Sequence, residues 1–329
     1  EIKAFFFFSR QTDRIPLTFL VLPIHYSSWG MRLRQITQRS ILKSSPHCSG
    51  ARKGFSQLHD DGDDSYLHGH EAAVLKSHSV RTAQNSAAYI LPYLSPGKKI
   101  LDVGCGPGTI AADFAGLVSP KGFVTAIDNA SDVLEIAKQH AQEEGVMENM
   151  RFEQESVYRL SYESNSFDVV HAHQVLQHLS RPVDALKEMK RVCKEQGIVA
   201  ARDADYAAMF WYPKVPELEK WQALYRKLAM EKKGEPDAGR KVFSWAREAG
   251  FTNITSSSST WCYATPKTRS WWGGLWAERI LDTAIARQAL EGKHATQNDL
   301  EDISEAWRAW AKHPDGWFTV VHGEIICKS

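Results

Sequence analysis

The chain has 329 residues, of which 43% are hydrophobic and 24% are charged, and its formal net charge at pH 7 is +1. A chain of this length and composition is large enough to bury a full hydrophobic core, which is typical of an enzyme with one main domain. Residues 60–329 hold 31 basic and 37 acidic side chains, a net charge of −6, which gives no electrostatic reason to expect a nucleic-acid partner.

The first 64 residues differ in composition from the rest. Residues 1–59 hold nine basic and only two acidic side chains. The apolar run Ile15–Ile24 is interrupted by prolines and is too short to span a bilayer, so we expect no stable membrane insertion. From Met31 onward the segment is rich in arginine and serine, as mitochondrial presequences are. We expect residues 1–64 to be a disordered leader or an over-extended gene prediction. We expect the protein itself to be cytoplasmic. A genuine leader from Met31 would instead indicate the mitochondrial matrix.

Helical spacing of apolar residues predicts a helix over residues 70–94, which ends at Ser95-Pro96-Gly97. An apolar strand then leads into the segment ILDVGCGPGT, Ile100–Thr109, in which three glycines occupy alternate positions. Glycine is required where the backbone turns sharply or approaches a ligand too closely to admit a β-carbon. The segment therefore predicts a nucleotide-cofactor loop at the end of a buried strand.

A second buried strand, Phe123–Asp128, follows the loop by about the twenty residues that a nucleotide-binding βαβ unit requires. Its last residue is a carboxylate, which can accept hydrogen bonds from both hydroxyls of a ribose. Apolar residues at helical spacing predict a helix over Thr109–Val118 between the two strands.

Helices and strands continue to alternate up to residue 202. Ser131 is of the N-cap type and Gly145 of the type that ends a helix, and a later helix has Pro182 in its first turn. Further strands are predicted at Met150–Gln154, Phe167–His171 and Gly197–Arg202. Parallel strands with right-handed crossovers form a doubly wound sheet with helices on both faces, and the ligand lies at the carboxyl ends of the strands.

The glycine spacing distinguishes two classes of cofactor. Dinucleotide oxidoreductases prefer Gly-x-Gly-x-x-Gly, whereas the third glycine here comes one residue earlier. The pattern Asp102-x-Gly104-x-Gly106-x-Gly108 resembles motif I of the class I S-adenosylmethionine-dependent methyltransferases. The segment Ser166–Asp203 is similar to later motifs of their ubiquinone/menaquinone-biosynthesis-like branch (methyltransferase type 11/25). This resemblance, which covers roughly Tyr66–Gly250, implies S-adenosyl-L-methionine as cofactor and an α/β, Rossmann-like fold with a doubly wound, mostly parallel seven-stranded sheet.

The resemblance also implies roles for individual residues. Asp102 and the loop glycines would hold the methionine end of the cofactor, Asp128 the ribose, and Asn129 would lie beside the adenine. Family members usually have Gly-Asp-Ala after the third strand, with the acid contacting the adenine amino group, where this chain has Glu155-Ser156-Val157. The Val157 amide could still serve the adenine. The predicted cofactor-binding residues are Asp102, Gly104, Gly106, Gly108, Asp128, Asn129, Ser156, Val157 and Gln174.

Three histidines near the end of the fourth strand invite either a metal site or a general base. Alternation places His171 and His173 on one side of an extended segment, but His178 falls beyond the strand and no carboxylate completes a set of ligands. We therefore predict no metal. As a general base, a neutral imidazole near its ordinary pKa would suit an acceptor that loses a proton. His173 is the first candidate for this catalytic role and His178 the second.

The remaining chain predicts a cap over the cofactor domain, which we expect to span residues 65–329. An aromatic stretch at Tyr206–Tyr212 and an amphipathic helix at Glu217–Lys233 could form a lid. After a helix at Val242–Ala249 and a strand near Asn253–Tyr263, a tryptophan-rich helical insertion of about fifty residues, near 264–315, precedes a last strand at Trp317–Cys327. Helical spacing of Leu300, Ile303, Trp307 and Trp310 favours packing of helix on helix. An aromatic substrate pocket is the alternative for some of the tryptophans.

The five cysteines are scattered without paired spacing, which indicates a reducing compartment and no structural zinc. The first functional hypothesis is methyl transfer from S-adenosylmethionine to the oxygen, carbon or nitrogen of a small, apolar or aromatic molecule. The alternatives are an NAD(P)-dependent oxidoreductase and a methyltransferase-like protein that binds the cofactor without turnover. A small-molecule substrate is expected in each enzymatic case, and the sequence does not indicate an oligomeric state.

Overall fold

A computed structural model of the chain describes residues 78–329. The predicted leader and the start of the helix predicted over residues 70–94 lie outside the described residues. The strands are β1 Lys99–Val103, β2 Phe123–Asp128, β3 Met150–Gln154, β4 Phe167–His173, β5 Cys193–Tyr212, β6 Asn253–Tyr263 and β7 Trp317–Lys328. They form one sheet in the order β3-β2-β1-β4-β5-β7-β6.

The helices within the described part flank this sheet or lie in the insertion between β6 and β7. They are α1 Ala83–Ser86, α2 Thr109–Val118, α3 Ser131–Glu143, α4 Pro182–Val192, α5 Pro216–Glu231, α6 Val242–Glu248, α7 Pro266–Arg279, α8 Ala284–Glu291 and α9 Gln297–Lys312. None of the helices within residues 78–329 is both long and apolar enough to cross a membrane.

The sheet confirms the predicted fold class. Strands β1 to β5 are mutually parallel in their pairings, whereas β7 runs antiparallel between β5 and β6. Each parallel pair needs a crossover, and helices such as α2 and α3 supply it. The carboxyl ends of β1, β2 and β4 therefore meet at one edge, which is where a doubly wound sheet binds its ligand.

The predicted strand bounds hold for β2, β3 and β6, and β4 extends two residues further, to His173. The prediction for β5 was too short, because this strand continues through the aromatic stretch Tyr206–Tyr212. Phe210 pairs with Thr319 and Tyr212 with Trp317 on β7. The aromatic stretch is thus part of the sheet, and the prediction that it forms a lid was wrong. Backbone pairing with a strand more than one hundred residues away overrides its local pattern.

Two helix predictions also need correction. Within the described part of the predicted helix 70–94, His78 is helical and is followed by a turn, α1 spans only four residues, and a 3-10 helix occupies Ala88–Tyr93. Ala87 between them has a non-helical backbone, and Pro92 has no amide hydrogen to continue an α-helix. Ser131 is the first residue of α3 rather than its cap, since Ala130 precedes the helix without a side-chain cap bond. Gly145 does end this helix region, with φ of +71°.

The insertion confirms the predicted packing of helix on helix. Leu300, Ile303, Trp307 and Trp310 are all buried in one cluster with residues of α5, α7 and β7. The ring centroids of Trp221 and Trp307 lie 4.9 Å apart and the planes are nearly perpendicular, the edge-to-face arrangement that aromatic rings prefer. This tryptophan cluster joins the helices of the insertion to the antiparallel end of the sheet.

Candidate active site

A cavity of about 410 Å³, here called the glycine-loop cavity, opens at the carboxyl ends of β1, β2 and β4. It brings together every predicted site residue except Gly108, although these residues come from five separate segments of the chain. The predicted residues that line it are Asp102, Gly104, Gly106, Asp128, Asn129, Ser156, Val157, His173, Gln174 and His178.

The glycines of the loop have left-handed backbones and two different tasks. At Gly104, with φ of +64°, a β-carbon would lie 2.5 Å from Cγ2 of Val175, so a side chain cannot be accommodated without movement. At Gly108, with φ of +76°, a β-carbon would lie 2.8 Å from the β-carbon of Ala137 on α3. The structure therefore places Gly108 at the start of α2, where it allows two helices to approach, and not on the wall of the cavity.

The carboxylate of Asp128 is held in place at the end of β2. One oxygen accepts a hydrogen bond from the amide of Gly106 at 3.0 Å and the other from the amide of Ala130 at 3.1 Å. A carboxylate offers about four lone-pair sites, so further donors can still bind it from the cavity. The bond to Gly106 also links the second strand to the glycine loop and fixes their relative positions.

Asp102 forms a buried pair that the sequence analysis did not find. Its carboxylate lies 2.7 Å from Nδ1 of His171, and the two residues are neighbours in the parallel register of β1 and β4. No group of three or more His, Cys, Asp or Glu side chains within residues 78–329 is placed to hold a metal ion. Only the strand register, which the sequence does not reveal, could have identified this pair.

The segment after β3 is the one in which this chain has Glu155-Ser156-Val157 in place of the Gly-Asp-Ala that the family resemblance predicts. The hydroxyl of Ser156 accepts a long hydrogen bond, 3.4 Å, from the amide of Tyr158, and the Val157 side chain is buried in the core beside it. Glu155, Ser156 and Val157 all line the cavity.

Both candidate bases are uncharged; His173 is buried, whereas His178 is half-buried. Burial, with Arg202 and Arg81 nearby, holds the pKa of His173 well below its usual range. Neither ring nitrogen of His173 has a hydrogen-bond partner within the described part of the chain. Burial likewise lowers the pKa of His178 to about 3. The expectation of an imidazole near its ordinary pKa was therefore wrong, because both rings are desolvated and His173 also lies among cationic side chains.

A second cavity, of about 860 Å³ and here called the aromatic cavity, adjoins the first. Four residues line both cavities, namely His78, Arg81, Gln174 and His178. Gln174 lies at this junction with φ of +54°, donates its amide to the carbonyl of Arg202 at 2.7 Å and accepts from the guanidinium of Arg81 at 2.7 Å. The two cavities thus meet where the fourth strand ends.

The tryptophans divide between the two roles that the sequence left open. Trp271, Trp272 and Trp276 line the aromatic cavity, whereas Trp307 and Trp310 pack in the buried cluster without reaching it. Strand β6 adds Trp261, whose indole nitrogen donates to the carbonyl of Asn85 at 2.8 Å.

The comparisons with known proteins agree with this geometry. Residues 94–261 match the family model of a methyltransferase domain. An uncharacterized methyltransferase of Schizosaccharomyces pombe is 35% identical over 272 residues, which is 80% of this chain and 96% of that protein. A protein of Aspergillus luteorubrus named "Probable methyltransferase ltbC" is 29% identical, with the same two coverages. A demethylmenaquinone methyltransferase of Staphylococcus aureus is 32% identical over 156 residues, 47% of this chain and 61% of that enzyme. The family model spans half of the chain and the yeast relative is matched over nearly its full length, so this chain belongs to the methyltransferase-domain family and is a class I S-adenosylmethionine-dependent methyltransferase.

Proposed function

We propose that this chain transfers the methyl group of S-adenosylmethionine to a small, apolar or aromatic acceptor bound in the aromatic cavity. The observation that carries this proposal is that the glycine-loop cavity and the aromatic cavity share their walls at Arg81, Gln174 and His178. A donor in one cavity and an acceptor in the other would meet at that junction. Aromatic walls with a few polar groups are typical of sites for small molecules, so we expect no nucleic-acid substrate.

The glycine-loop cavity fits this cofactor in size and chemistry. Asp128 presents a fixed carboxylate to a ribose, and the side-chain-free backbone at Gly104 and Gly106 leaves room for close approach of the methionine end. Asp102, Asn129 and Val157 line the same cavity, which supports assigning Asp102 to the methionine end and Asn129 and Val157 to the adenine. These residues agree with the roles that the family resemblance implies.

The bound cofactor supplies an electrophilic methyl group on a positively charged sulfur. The protein's own contribution is then to align the acceptor atom and to exclude water, since displacement at a methyl group depends chiefly on geometry. The side chains of Trp271 and Trp272 line the aromatic cavity and offer apolar surface to an aromatic acceptor. His173 stays neutral at the junction, and because burial lowers its pKa it is a weak base suited to acceptors that lose a proton easily or not at all.

Two measurements test the proposal. Isothermal titration calorimetry should show binding of S-adenosylmethionine and of S-adenosylhomocysteine but not of NAD(P)H. A screen of phenols, quinones, amines and organic acids with methyl-labelled cofactor should then identify acceptors. Binding of NAD(P)H in place of S-adenosylmethionine would contradict the proposal. Cofactor binding without transfer to any member of the panel would instead favour a binding protein without turnover.

A further inference from the structure

The aromatic cavity is unusually basic for a pocket with aromatic walls. Within the described part of the chain, Arg81, Arg202, Lys267 and Arg279 line it, and Glu324 is the single acidic residue on its wall. Arg202 and Arg279 are buried, Arg81 is half-buried and Lys267 is exposed. Burying a cation is costly unless an opposite charge or a hydrogen-bond acceptor compensates it. An excess of cations in a cavity of this kind therefore indicates the charge of the molecule that fills it.

Arg202 is the most deeply buried of these cations. Its side chain is 1% exposed, and burial lowers its pKa to about 10. Nε donates to Glu324 at 3.2 Å and to Ser259 at 3.0 Å, and one Nη lies 3.0 Å from Nδ1 of His322. The other, Nη1, has no hydrogen-bond partner within residues 78–329. Arg202 is thus an almost fully buried side chain on the cavity wall, and its Nη1 atom still needs a hydrogen-bond acceptor.

Two further buried donors on the same wall lack partners. The hydroxyl of Tyr89 and the indole nitrogen of Trp272 line the cavity, and neither atom has a hydrogen-bond partner among the described residues. Native proteins leave few buried polar groups unpaired, so several at one cavity indicate a polar ligand that satisfies them. The guanidinium and indole nitrogens can only donate, and the phenol hydroxyl can donate as well, so a ligand with acceptor atoms would satisfy all three.

The guanidinium groups converge on one region of the cavity. Arg81 and Arg202 both lie against the ring of Trp261, with their Cζ atoms 5.7 and 4.9 Å from its centroid, so both charges border the same part of the cavity. Burial raises the pKa of Tyr263, while Arg81, Arg202 and Arg279 all act to lower it. Each of the three is therefore within electrostatic range of the same phenol.

We propose that the acceptor is an organic anion, a small aromatic carboxylic acid, whose carboxylate is bound by Arg81 and Arg202 and whose ring lies against Trp271 and Trp272. The inference rests on the proposed function, since it assigns the acceptor of that reaction. A carboxylate is favoured over a phosphate because Glu324 already neutralises part of the charge of Arg202 at 3.2 Å. A dianion at Arg202 would be repelled by this buried carboxylate more strongly than a singly charged ligand would be.

The test uses calorimetry on the full chain saturated with S-adenosylhomocysteine. The probes are two matched pairs, 2-naphthoate with 2-naphthamide and biphenyl-4-carboxylate with its amide, together with 2-naphthyl phosphate. We expect each acid to bind at least tenfold more tightly than its amide and more tightly than the phosphate. Arg81→Gln should reduce the preference of acid over amide to less than threefold, because it removes one charge from the carboxylate site.

Control variants keep the result interpretable. Arg247→Gln removes an exposed arginine of α6 that lies outside both cavities, and it should retain the full preference for the acids. Arg202→Gln alone leaves Glu324 as an unpaired buried charge and endangers folding, so the double variant Arg202→Gln/Glu324→Gln is the second test. It should also lose the preference while still binding S-adenosylhomocysteine.

The outcomes separate this inference from the proposed function. Equal affinity for acid and amide, absence of binding of either acid at millimolar concentration, or tighter binding of the phosphate would overturn the assignment of a carboxylate acceptor. Any of these results with normal binding of S-adenosylhomocysteine would leave the methyltransferase proposal standing. Failure to bind S-adenosylhomocysteine itself would overturn the proposed function.

Discussion

Replacing Asp128 by alanine tests the assignment of the ribose site. The carboxylate accepts from the amides of Gly106 and Ala130, and Asp128 lines the glycine-loop cavity. A hydrogen bond to a charged group contributes about 1.5 to 3 kcal/mol. Loss of two ribose hydroxyl bonds at the lower end is about 3 kcal/mol, which is a cofactor affinity weakened about 150-fold.

The same substitution also affects stability, and the two effects must be separated. The amides of Gly106 and Ala130 lose their acceptor, but Asp128 is only half-buried, so water can replace part of the loss. We expect the free energy of unfolding to fall by about 1 to 3 kcal/mol. Denaturant unfolding measures this fall, and calorimetry at a temperature well below the unfolding transition measures the affinity of the folded protein for S-adenosylhomocysteine.

Asp132→Ala is the matched control, because it removes the same charge four residues later. Asp132 is exposed on the first turn of α3, lies outside the glycine-loop cavity and has only a long 3.3 Å hydrogen bond to the hydroxyl of Ser131. Its loss should leave cofactor affinity within about threefold of the original protein. An Asp128→Ala protein that is folded and binds S-adenosylhomocysteine as tightly as this control would refute the ribose assignment.

Three further predictions concern the loop, the histidine and the tryptophans. Gly104→Ala should abolish measurable cofactor binding, because φ is +64° and a β-carbon would lie 2.5 Å from Val175. The control is Gly116→Ala in α2, where a β-carbon would have nothing within 4 Å. This variant should bind the cofactor normally and be about 0.5 to 1 kcal/mol more stable. His173→Ala should lower kcat by about 10- to 100-fold with little change in cofactor affinity if this ring is the base. Its lowered pKa then also predicts that kcat does not fall between pH 8 and 6, because the imidazole stays neutral over that range; a drop with a midpoint near 6.5 that disappears in the variant would contradict this. Trp307→Ala should reduce the free energy of unfolding by about 3 to 5 kcal/mol, since this side chain is fully buried in the tryptophan cluster. Trp271→Ala should cost far less stability and instead weaken acceptor binding, and similar losses in denaturant unfolding for both variants would argue against the division of roles.

The local sequence was sufficient to predict the cofactor half of the molecule. The bounds of β2 and β3 and the position of the glycine loop follow from patterns within about twenty residues, and the structure confirms them. Most of the predicted cofactor residues then meet at one cavity because parallel strands bring their carboxyl ends to one edge. Gly108 has a left-handed backbone conformation that favours glycine, but it does not line the cofactor cavity. It allows close approach to Ala137, which belongs to another helix.

Side-chain environments could not be predicted in the same way. The imidazole of His173 was expected near its ordinary pKa, but the fold buries it close to Arg202 and Arg81, whose charges come from distant segments. The aromatic stretch at Tyr206–Tyr212 has the composition of a lid and yet pairs with β7. Both differences arise from contacts between residues far apart in the chain.

The sequence by itself determined which backbone positions must be free of side chains and which strand ends carry acids, because glycine conformation and strand periodicity are local properties. Only the tertiary structure decided that Asp102 pairs with His171 and that Arg81 and Arg202 lie over one tryptophan. The physical reason is that burial and charge proximity depend on strand register and helix packing, to which residues separated by tens to hundreds of positions contribute together.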